Sequence, residues 1–196
     1  MGKVIVRMSL TLDGVMQAPG RADEDTRGGF SHGGWAIPYF HPMMAKAAGE
    51  AMASATPSAL LFGRRTYEDF YGVWPGRTDN PFSKVLDALQ KYVVSTTLEE
   101  PLPWANSTLL RGDAASAVAT LKSEGERDLV VMGSGVLVQA LMRHDLVDEW
   151  QLLVHPLVLG SGRRLFPEGG LPANLALAEC QATPTGVIMA TWRPAA

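Results

Sequence analysis

Short apolar runs, many of them β-branched, alternate along this chain with segments of helical composition. The runs that read as strands cover residues 4–9, 59–62, 92–95, 108–110, 128–132 and 150–154. The segments that read as helices cover residues 42–54, 65–70, 82–89, 114–121 and 136–142, and Asp113 is predicted to cap the fourth of them. This alternation predicts the α/β class, with a mainly parallel sheet and helices on both faces. Residues 179–183 and 187–193 flank a Pro-Thr-Gly turn, so a closing antiparallel pair makes the sheet mixed.

Length and charge narrow the classes of protein to which the chain can belong. Its 196 residues are suited to one domain spanning the whole chain. Seventeen basic and twenty acidic residues give a net charge of -3, which argues against nucleic acid or an anionic membrane as the main partner. The start of the chain turns polar too quickly for a signal peptide, and no apolar stretch approaches the ~20 residues that span a bilayer. A cytoplasmic location is the resulting expectation.

The cysteine and histidine content bears on metal and redox chemistry. Cys180 is the single cysteine, so an internal disulfide and a cysteine-built metal site are excluded. It lies in an apolar run, which predicts a buried, inert thiol. The four histidines lack ligand spacing with carboxylates, so no metal is expected.

A predicted strand turns directly into a helix at Gly63, and Arg64, Arg65 and Thr66 open that helix. The first backbone N–H groups of a helix have no intrahelical partner and lie at the positive end of its dipole. Arginine and threonine side chains add further donors, so the turn is suited to phosphate. A solvated arginine pair beside an ordinary capping threonine explains the same residues, and this segment alone leaves both interpretations open.

Two further turns strengthen the phosphate interpretation. Residues 133–135 are Gly-Ser-Gly between a strand and a helix, and glycines let a pyrophosphate approach the backbone. The dinucleotide fingerprint G-x-G-x-x-G fails there, because Val138 takes the place of the third glycine. Residues 95–97 are Ser-Thr-Thr and follow another strand. Because ligands of open α/β sheets gather outside the carboxyl ends of the strands, we expect the three turns to share one rim and to bind a dinucleotide.

The ordered set of motifs resembles the dihydrofolate reductase superfamily, most closely the branch that contains the reductase (RibD C-terminal) domain of riboflavin-biosynthesis deaminase–reductases. The matching segments are residues 9–14, 63–68, 93–96, 131–135, 147–150 and 156–166. The resemblance spans nearly the whole chain. It implies a single dihydrofolate reductase-like domain of three αβα layers, with NADPH as the cofactor.

The resemblance also implies which residues contact NADPH: Gly63, Arg64, Arg65, Thr66, Ser95, Thr96, Gly133, Ser134, Gly135, Val136 and Leu137. The first four would lie at the phosphates, the next two near the adenosine ribose and its 2′-phosphate, and the last five around the pyrophosphate and nicotinamide ribose. Many relatives join two glycines by a cis peptide at this last turn. Here the second is Ser134, and cis peptides are costly without proline.

On the substrate side, Asp13 and Gly14 match the S-x-D-G element of the riboflavin-type reductases. Asp13 is the candidate for substrate contact or proton delivery. The alternative is that it is an aspartate at the start of a loop that caps its own turn. Trp35 is predicted either to line the substrate pocket or to pack in the hydrophobic core. The long segment 11–34 is a candidate lid. Dihydrofolate reductases place a carboxylate on their first helix, and Glu50 matches that position poorly.

The function these observations predict is an NADPH-dependent reductase that transfers hydride to a small heterocyclic substrate, pyrimidine- or pterin-like. The alternative is a non-catalytic NADPH- or nucleotide-binding protein on the same fold. A flavin-dependent enzyme is a third hypothesis. Related reductases often pair, so a homodimer is possible.

Overall fold

The computed structural model of the protein describes residues 1–52, 58–80 and 82–195. Eight strands are present in these residues: β1 (Val4–Thr11), β2 (Ser58–Gly63), β3 (Gln90–Val94), β4 (Ser107–Leu110), β5 (Asp128–Met132), β6 (Glu149–His155), β7 (Leu175–Ala182) and β8 (Ile188–Pro194). Five α-helices accompany them: α1 (Pro42–Met52), α2 (Arg64–Val73), α3 (Phe82–Ala88), α4 (Ala114–Glu124) and α5 (Gly135–Met142). Two short 3-10 helices cover Arg27–Gly29 and Ile37–Tyr39.

The eight strands form one sheet in the order β4-β3-β2-β5-β1-β6-β8-β7. The chain divides into two compact units, and β1 begins in the first and continues into the second. The first unit contains Met1–Ile5 and the described residues 58–147, and the second contains residues 6–52 and 148–195.

The first unit is built on parallel pairs. β2 pairs with β3 on one side and with β5 on the other, and β3 pairs with β4, all in parallel. The β2–β3 and β4–β5 connections run in opposite directions across the sheet. Because crossovers between parallel strands are right-handed, α2 and α4 lie on opposite faces of the sheet. Residues 59–62 of β2 are buried, as expected for a strand covered on both faces. Asp113 caps α4 by accepting the N–H of Ser116, as the sequence predicts.

The second unit is antiparallel at its outer end, where β8 pairs with both β6 and β7. The predicted closing pair and its turn at Gly186 are therefore confirmed. β7 is the last strand of the sheet, and seven of its eight residues are exposed. Cys180 lies on this strand and is exposed, so the prediction of a buried thiol is wrong. Apolar composition indicated burial, but it does not reveal that a strand lies at an edge.

The predicted α/β class and the mixed, mostly parallel sheet with flanking helices are confirmed. The helix predicted over residues 42–54 ends at Met52 in the described part of the chain, and its predicted last residue, Ser54, lies outside the described residues. No helix of the described residues is both long and apolar enough to span a bilayer. That the whole chain forms a single domain stays a prediction.

Candidate functional site

Three strand ends meet at one rim of the first unit. Gly63 at the end of β2 lies opposite Val94 at the end of β3, and Leu61 lies opposite Val131 near the end of β5. Because these strands are parallel and in register, the turns that follow them emerge side by side. The structure therefore brings together all the residues that the sequence predicts as cofactor contacts, from Gly63 to Leu137.

The β2–α2 turn has no spare residue, since β2 ends at Gly63 and α2 begins at Arg64. Gly63 occupies the N-cap position in an extended conformation and supplies no side-chain cap. The N–H groups at the start of α2 thus lack a capping side chain, and they lie at the positive end of the helix dipole.

The β5–α5 turn is shaped by Gly133 and Ser134. Gly133 has a φ of 65°, which favours glycine, and a Cβ at this position would lie 3.0 Å from Cγ2 of Thr66. Ser134 occupies the N-cap position of α5 but does not cap the helix with its side chain. The side chain instead accepts the Gly63 N–H at 2.9 Å and donates to the Met132 carbonyl at 3.3 Å. The two turns are thus in direct contact.

The peptide bonds at this turn are trans, because the one cis bond among the described residues joins Glu100 to Pro101. Val136, in the first turn of α5, is 69% exposed, whereas Leu137 beside it is buried. An exposed apolar side chain next to uncapped N–H groups is suited to contact with a ligand that has both apolar and anionic parts.

The turn after β3 is ordered by Ser95. Its buried hydroxyl accepts the N–H groups of Thr97 and Leu98 at 3.1 and 3.0 Å. Ser95 is therefore occupied with its own turn, while Thr96 remains exposed at the surface of the turn.

The two arginines of the rim differ in their partners. Arg64 forms an i,i+4 ion pair with Glu68, with Nη1 3.1 Å from Oε2. Arg65 is exposed and makes no ion pair with any residue that the structure describes. Of the two guanidinium groups, Arg65 is thus the one with its charge free for a phosphate.

Asp13 lies in the second unit, in a tight turn at the end of β1. Its carboxylate accepts the Thr11 hydroxyl at 2.6 Å and the N–H groups of Leu159 and Gly160 at 3.2 and 2.8 Å, and Arg164 lies 3.5 Å away. The Thr11 hydroxyl, followed by the backbone donors, lowers the pKa of Asp13 to about 2. Gly14 continues the turn with a φ of 78°. Asp13 is therefore an anion at neutral pH.

Residues 2–189 match the family of RibD C-terminal domains. The chain belongs to this family. The sequence-based resemblance is thereby confirmed over nearly the whole chain.

Individual relatives are more distant. The uncharacterized protein YyaP of Bacillus subtilis is 27% identical over 138 residues, which cover 68% of this chain and 72% of YyaP. The uncharacterized protein YwjB of the same organism is 32% identical over 115 residues, or 54% of this chain and 66% of YwjB.

Solved structures share the fold. A candidate riboflavin biosynthesis protein from Shewanella sp. PV-4 has a TM-score of 0.75 at 22% identity, with all of both chains covered. A pyrimidine reductase-like protein from Corynebacterium diphtheriae has a TM-score of 0.68 at 12% identity, covering all of this chain and 92% of the other. Dihydrofolate reductase from Enterococcus faecalis, complexed with NADP(H), has a TM-score of 0.62 at 14% identity, covering 98% of this chain and 96% of the other. The predicted dihydrofolate reductase-like fold is confirmed.

In this RibD C-terminal domain the segment between β1 and α1 is packed, not loose. Trp35 is buried with Val15, Ala18 and Phe30, and its indole N–H donates to the Gln17 carbonyl at 2.7 Å. Of the two interpretations of Trp35, the packing favours a core residue. A mobile lid over all of residues 11–34 would have to break this cluster.

Two features of the second unit escaped the sequence analysis. Gln17 is buried, and its amide joins the carbonyls of Asp25 and Arg27 to the N–H of Arg163. Arg7 donates twice to Gln151, 144 residues away. The Gln17–Arg163 and Arg7–Gln151 bonds join segments far apart in the chain, so no local pattern marks them. Glu50, the poor match for a catalytic carboxylate, is exposed on α1 and pairs with Lys46.

Proposed function

We propose that this member of the RibD C-terminal domain family is an NADPH-dependent reductase that transfers hydride to a small pyrimidine- or pterin-like heterocycle. The observation that carries the proposal is the shared rim of three turns after β2, β3 and β5, with two uncapped helix starts. The family match and the reductase-type fold support oxidoreductase chemistry at a coarse level. The cofactor and the substrate class are our inference.

The residues of the rim fit a dinucleotide. The glycine conformation at Gly133 leaves the backbone open to close approach, and Arg65 provides a charge that forms no ion pair with the residues the structure describes. The start of α2 would hold phosphate, Arg65 and Thr96 would hold the 2′-phosphate, and Val136 would contact apolar parts of the cofactor. One expected donor is not available to the ligand: the Gly63 N–H already donates to the side-chain oxygen of Ser134.

NADPH would supply the hydride, and the protein would supply binding and orientation. The α2 and α5 starts direct N–H groups and the positive ends of two helix dipoles toward the bound anion. The Ser134–Gly63 bond fixes the spacing between these two starts, so the binding surface is formed before the ligand arrives. Asp13 holds its turn as an anion, so it would orient or contact substrate without giving a proton.

The cofactor assignment is tested by titrating the protein with NADPH and NADH and following tryptophan fluorescence. Replacing Arg65 by alanine should weaken NADPH binding about tenfold, since a charge-assisted hydrogen bond to phosphate is lost, and should change NADH binding little. Arg143→Ala is the matched control, because Arg143 is an exposed arginine of the same unit at the far end of α5. Unchanged NADPH affinity in both Arg64→Ala and Arg65→Ala contradicts the assignment.

Catalysis is tested by anaerobic mixing with NADPH and candidate pyrimidines, pterins and quinones, followed at the nicotinamide absorbance. Oxidation of NADPH by one class identifies the substrate class. Tight binding of NADPH without its oxidation by any of these compounds favours the alternative, a non-catalytic nucleotide-binding protein. Two observations motivate that alternative: Glu50 is exposed, and the carboxylate of Asp13 is fully hydrogen-bonded. Yellow protein on purification would instead indicate a flavin.

A homodimer, a cytoplasmic location and a role in riboflavin biosynthesis remain predictions that accompany this proposal. The mass of the protein in solution, measured by light scattering, tests the first of them.

A further inference from the structure

A buried histidine lies where the end of β6 meets the segment that precedes α1. The ring of His155, the last residue of β6, is fully buried. Its Nδ1 lies 3.0 Å from the Leu153 carbonyl and 3.3 Å from the Leu10 carbonyl, so Nδ1 carries the hydrogen that these acceptors share. Nε2 is also buried and makes no hydrogen bond with any residue that the structure describes. The neutral ring therefore fits this place, with one nitrogen bonded and the other left as an acceptor.

Two aromatic side chains pack against this ring. Trp35 and Tyr39 both make edge contacts with His155, at centroid distances of 5.1 and 5.9 Å and interplanar angles of 89° and 78°. We call residues 35–40, which carry these two side chains and the 3-10 helix Ile37–Tyr39, the aromatic segment. Trp35 is buried, whereas Tyr39 is only partly buried. Tyr39 is therefore the side chain of this cover that lies nearer to solvent.

The two ends of the aromatic segment are held differently. At one end, the indole N–H of Trp35 donates to the Gln17 carbonyl at 2.7 Å, and the ring packs in a buried apolar cluster. At the other end, the Tyr39 carbonyl accepts the hydroxyl of Thr185 at 2.7 Å. Phe40, the next residue, is 61% exposed and adds no buried contact. We therefore expect the Tyr39 end of the segment to leave His155 more readily than the Trp35 end.

A positive charge on this ring would have no counter-ion among the described residues. β1 and β6 present carbonyls to the ring, and the aromatic segment presents two rings, of which Tyr39 is titratable. The turn between β7 and β8 contributes the Thr185 hydroxyl, which is bound to the Tyr39 carbonyl. Burial lowers the pKa of His155 below its ordinary 6.5, and the two carbonyls oppose this only in part. The attraction of a cation to aromatic rings is weaker than the loss of its hydration, so protonation favours a conformation in which Nε2 reaches water.

We propose that His155 is a proton-operated latch for the aromatic segment. The neutral ring holds Tyr39 against the end of β6, and a proton taken from solvent onto Nε2 releases Tyr39 and lets the imidazolium reach water. The proton returns to solvent when the segment closes. The latch acts at acidic pH, because a histidine exposed by release takes up its proton as the pH falls below 6.5. It is independent of the proposed reductase function, since it needs neither cofactor nor substrate.

The latch is connected to the turn that carries Asp13. Trp35 lies in one buried cluster with Val15, whose N–H donates to the Thr11 hydroxyl at 2.9 Å. The same hydroxyl donates to the carboxylate of Asp13 at 2.6 Å. When the imidazole turns toward water, Trp35 loses a contact, and its cluster loosens. We therefore expect release of the aromatic segment to increase the motion of the Asp13 turn.

Amide hydrogen exchange of the full chain tests the latch without any substitution. The measured quantity is the protection factor, the exchange rate of an unstructured chain divided by that of the protein at the same pH. The Tyr39 and Phe40 amides report on the segment, since they donate to the Ala36 and Ile37 carbonyls. Their protection factors should fall by up to about tenfold for each pH unit below 6.5, because release binds one proton. Protection factors that stay constant between about pH 8 and pH 5 overturn the proposal.

Urea separates local release from unfolding of the whole protein. Release of a short segment exposes little surface, so low urea concentrations should leave the Tyr39 and Phe40 protection factors unchanged. The same concentrations should lower the protection factor of the Leu61 amide in the buried strand β2, which needs extensive unfolding to exchange. Tyr39 and Leu61 amides with equal protection factors and an equal response to urea would show that no local release occurs, and the latch would be refuted.

Substitutions assign the pH dependence to one histidine. His155→Phe keeps a ring but cannot be protonated, so the Tyr39 protection factor should become constant between about pH 8 and pH 5. His32→Gln is the matched control and should keep the wild-type fall, because His32 is an exposed histidine of the same unit whose ring also contacts an aromatic ring, that of Phe30. A fall that persists in His155→Phe, or that disappears in His32→Gln, contradicts the assignment.

A reciprocal measurement holds even if His155→Phe does not fold. If protonation drives Tyr39 away, removing the Tyr39 ring must make protonation easier, because the coupling between the two is mutual. In Tyr39→Leu the midpoint of the His155 titration, followed by the NMR signal of its Cε1–H, should therefore move up toward 6.5. A midpoint that is the same in the wild type and in Tyr39→Leu overturns the proposal.

Discussion

The carboxylate of Asp13 should stabilise the fold by an amount that depends on pH. Its pKa falls from an ordinary 3.8 to about 2, chiefly through the hydrogen bond from Thr11. At 1.36 kcal/mol per pH unit this corresponds to about 2.5 kcal/mol, and partial exposure to solvent reduces it to about 1–2 kcal/mol. Because the pKa of Asp13 is lowered on folding, its contribution to the free energy of unfolding is fully present above pH 3.8 and is lost as the pH falls toward about 2. Asp13→Asn should remove this amount at neutral pH.

Urea unfolding of the two proteins across a series of pH values measures this effect. The free energies of unfolding should differ by about 1–2 kcal/mol at neutral pH and converge as the pH drops below 3.8. Asp23→Asn is the control, because Asp23 lies in the same loop with an 85% exposed side chain and should change stability by less than about 0.5 kcal/mol. A difference for Asp13→Asn that stays constant with pH refutes the electrostatic reasoning.

Three further substitutions test other parts of the structure. Ser134→Ala removes the acceptor of the Gly63 N–H and should lower the unfolding free energy in urea by about 1 kcal/mol; no change would show that the bond contributes nothing. Gly162→Ala should lower the unfolding free energy by more than about 2 kcal/mol, because the added Cβ would lie 2.7 Å from the buried ring of Phe30 and the backbone has a φ of 119°. Gly160→Ala has open space around the added Cβ and should lower it by about 1 kcal/mol. Equal shifts in melting temperature for the two variants would contradict this reasoning. Burial lowers the pKa of Lys91 from 10.5 to about 8, so the unfolded chain keeps a proton that the folded protein releases between these values. The unfolding free energy of the wild type should therefore rise relative to Lys91→Met over that range, and parallel curves would refute it.

The order of elements was predictable from local pattern because each strand and helix carries its own signal. The β-branched run at residues 128–132 and the capping Asp113 are local features, and both appear in the structure where the sequence places them. The shared rim followed from one general rule, that parallel strands deliver their following turns to the same edge. Sequence alone therefore predicted that these turns lie side by side at one rim.

The details that modify that site depend on contacts between distant residues. Ser134 reaches Gly63 across 71 positions, and this bond removes one of the free amides on which the phosphate hypothesis depended. Glycine-rich spacing predicted the turn but not the direction of a serine side chain. The exposure of Cys180 likewise depends on the position of β7 in the sheet, which the composition of that strand does not encode.

The source of the proton that must accompany a hydride can be narrowed within the second unit. Asp13 is an anion bound by several donors, and Glu50 is exposed on α1. The buried ring of His155 has Nδ1 3.0 Å from the Leu153 carbonyl and 3.3 Å from the Leu10 carbonyl, so Nδ1 carries the hydrogen. Its Nε2 has no partner among the described residues, and burial lowers its pKa, so at neutral pH this nitrogen is an acceptor. Neither Asp13 nor Nε2 of His155 therefore carries a proton near neutral pH, and the rate of the proposed reduction should not follow the titration of either group there.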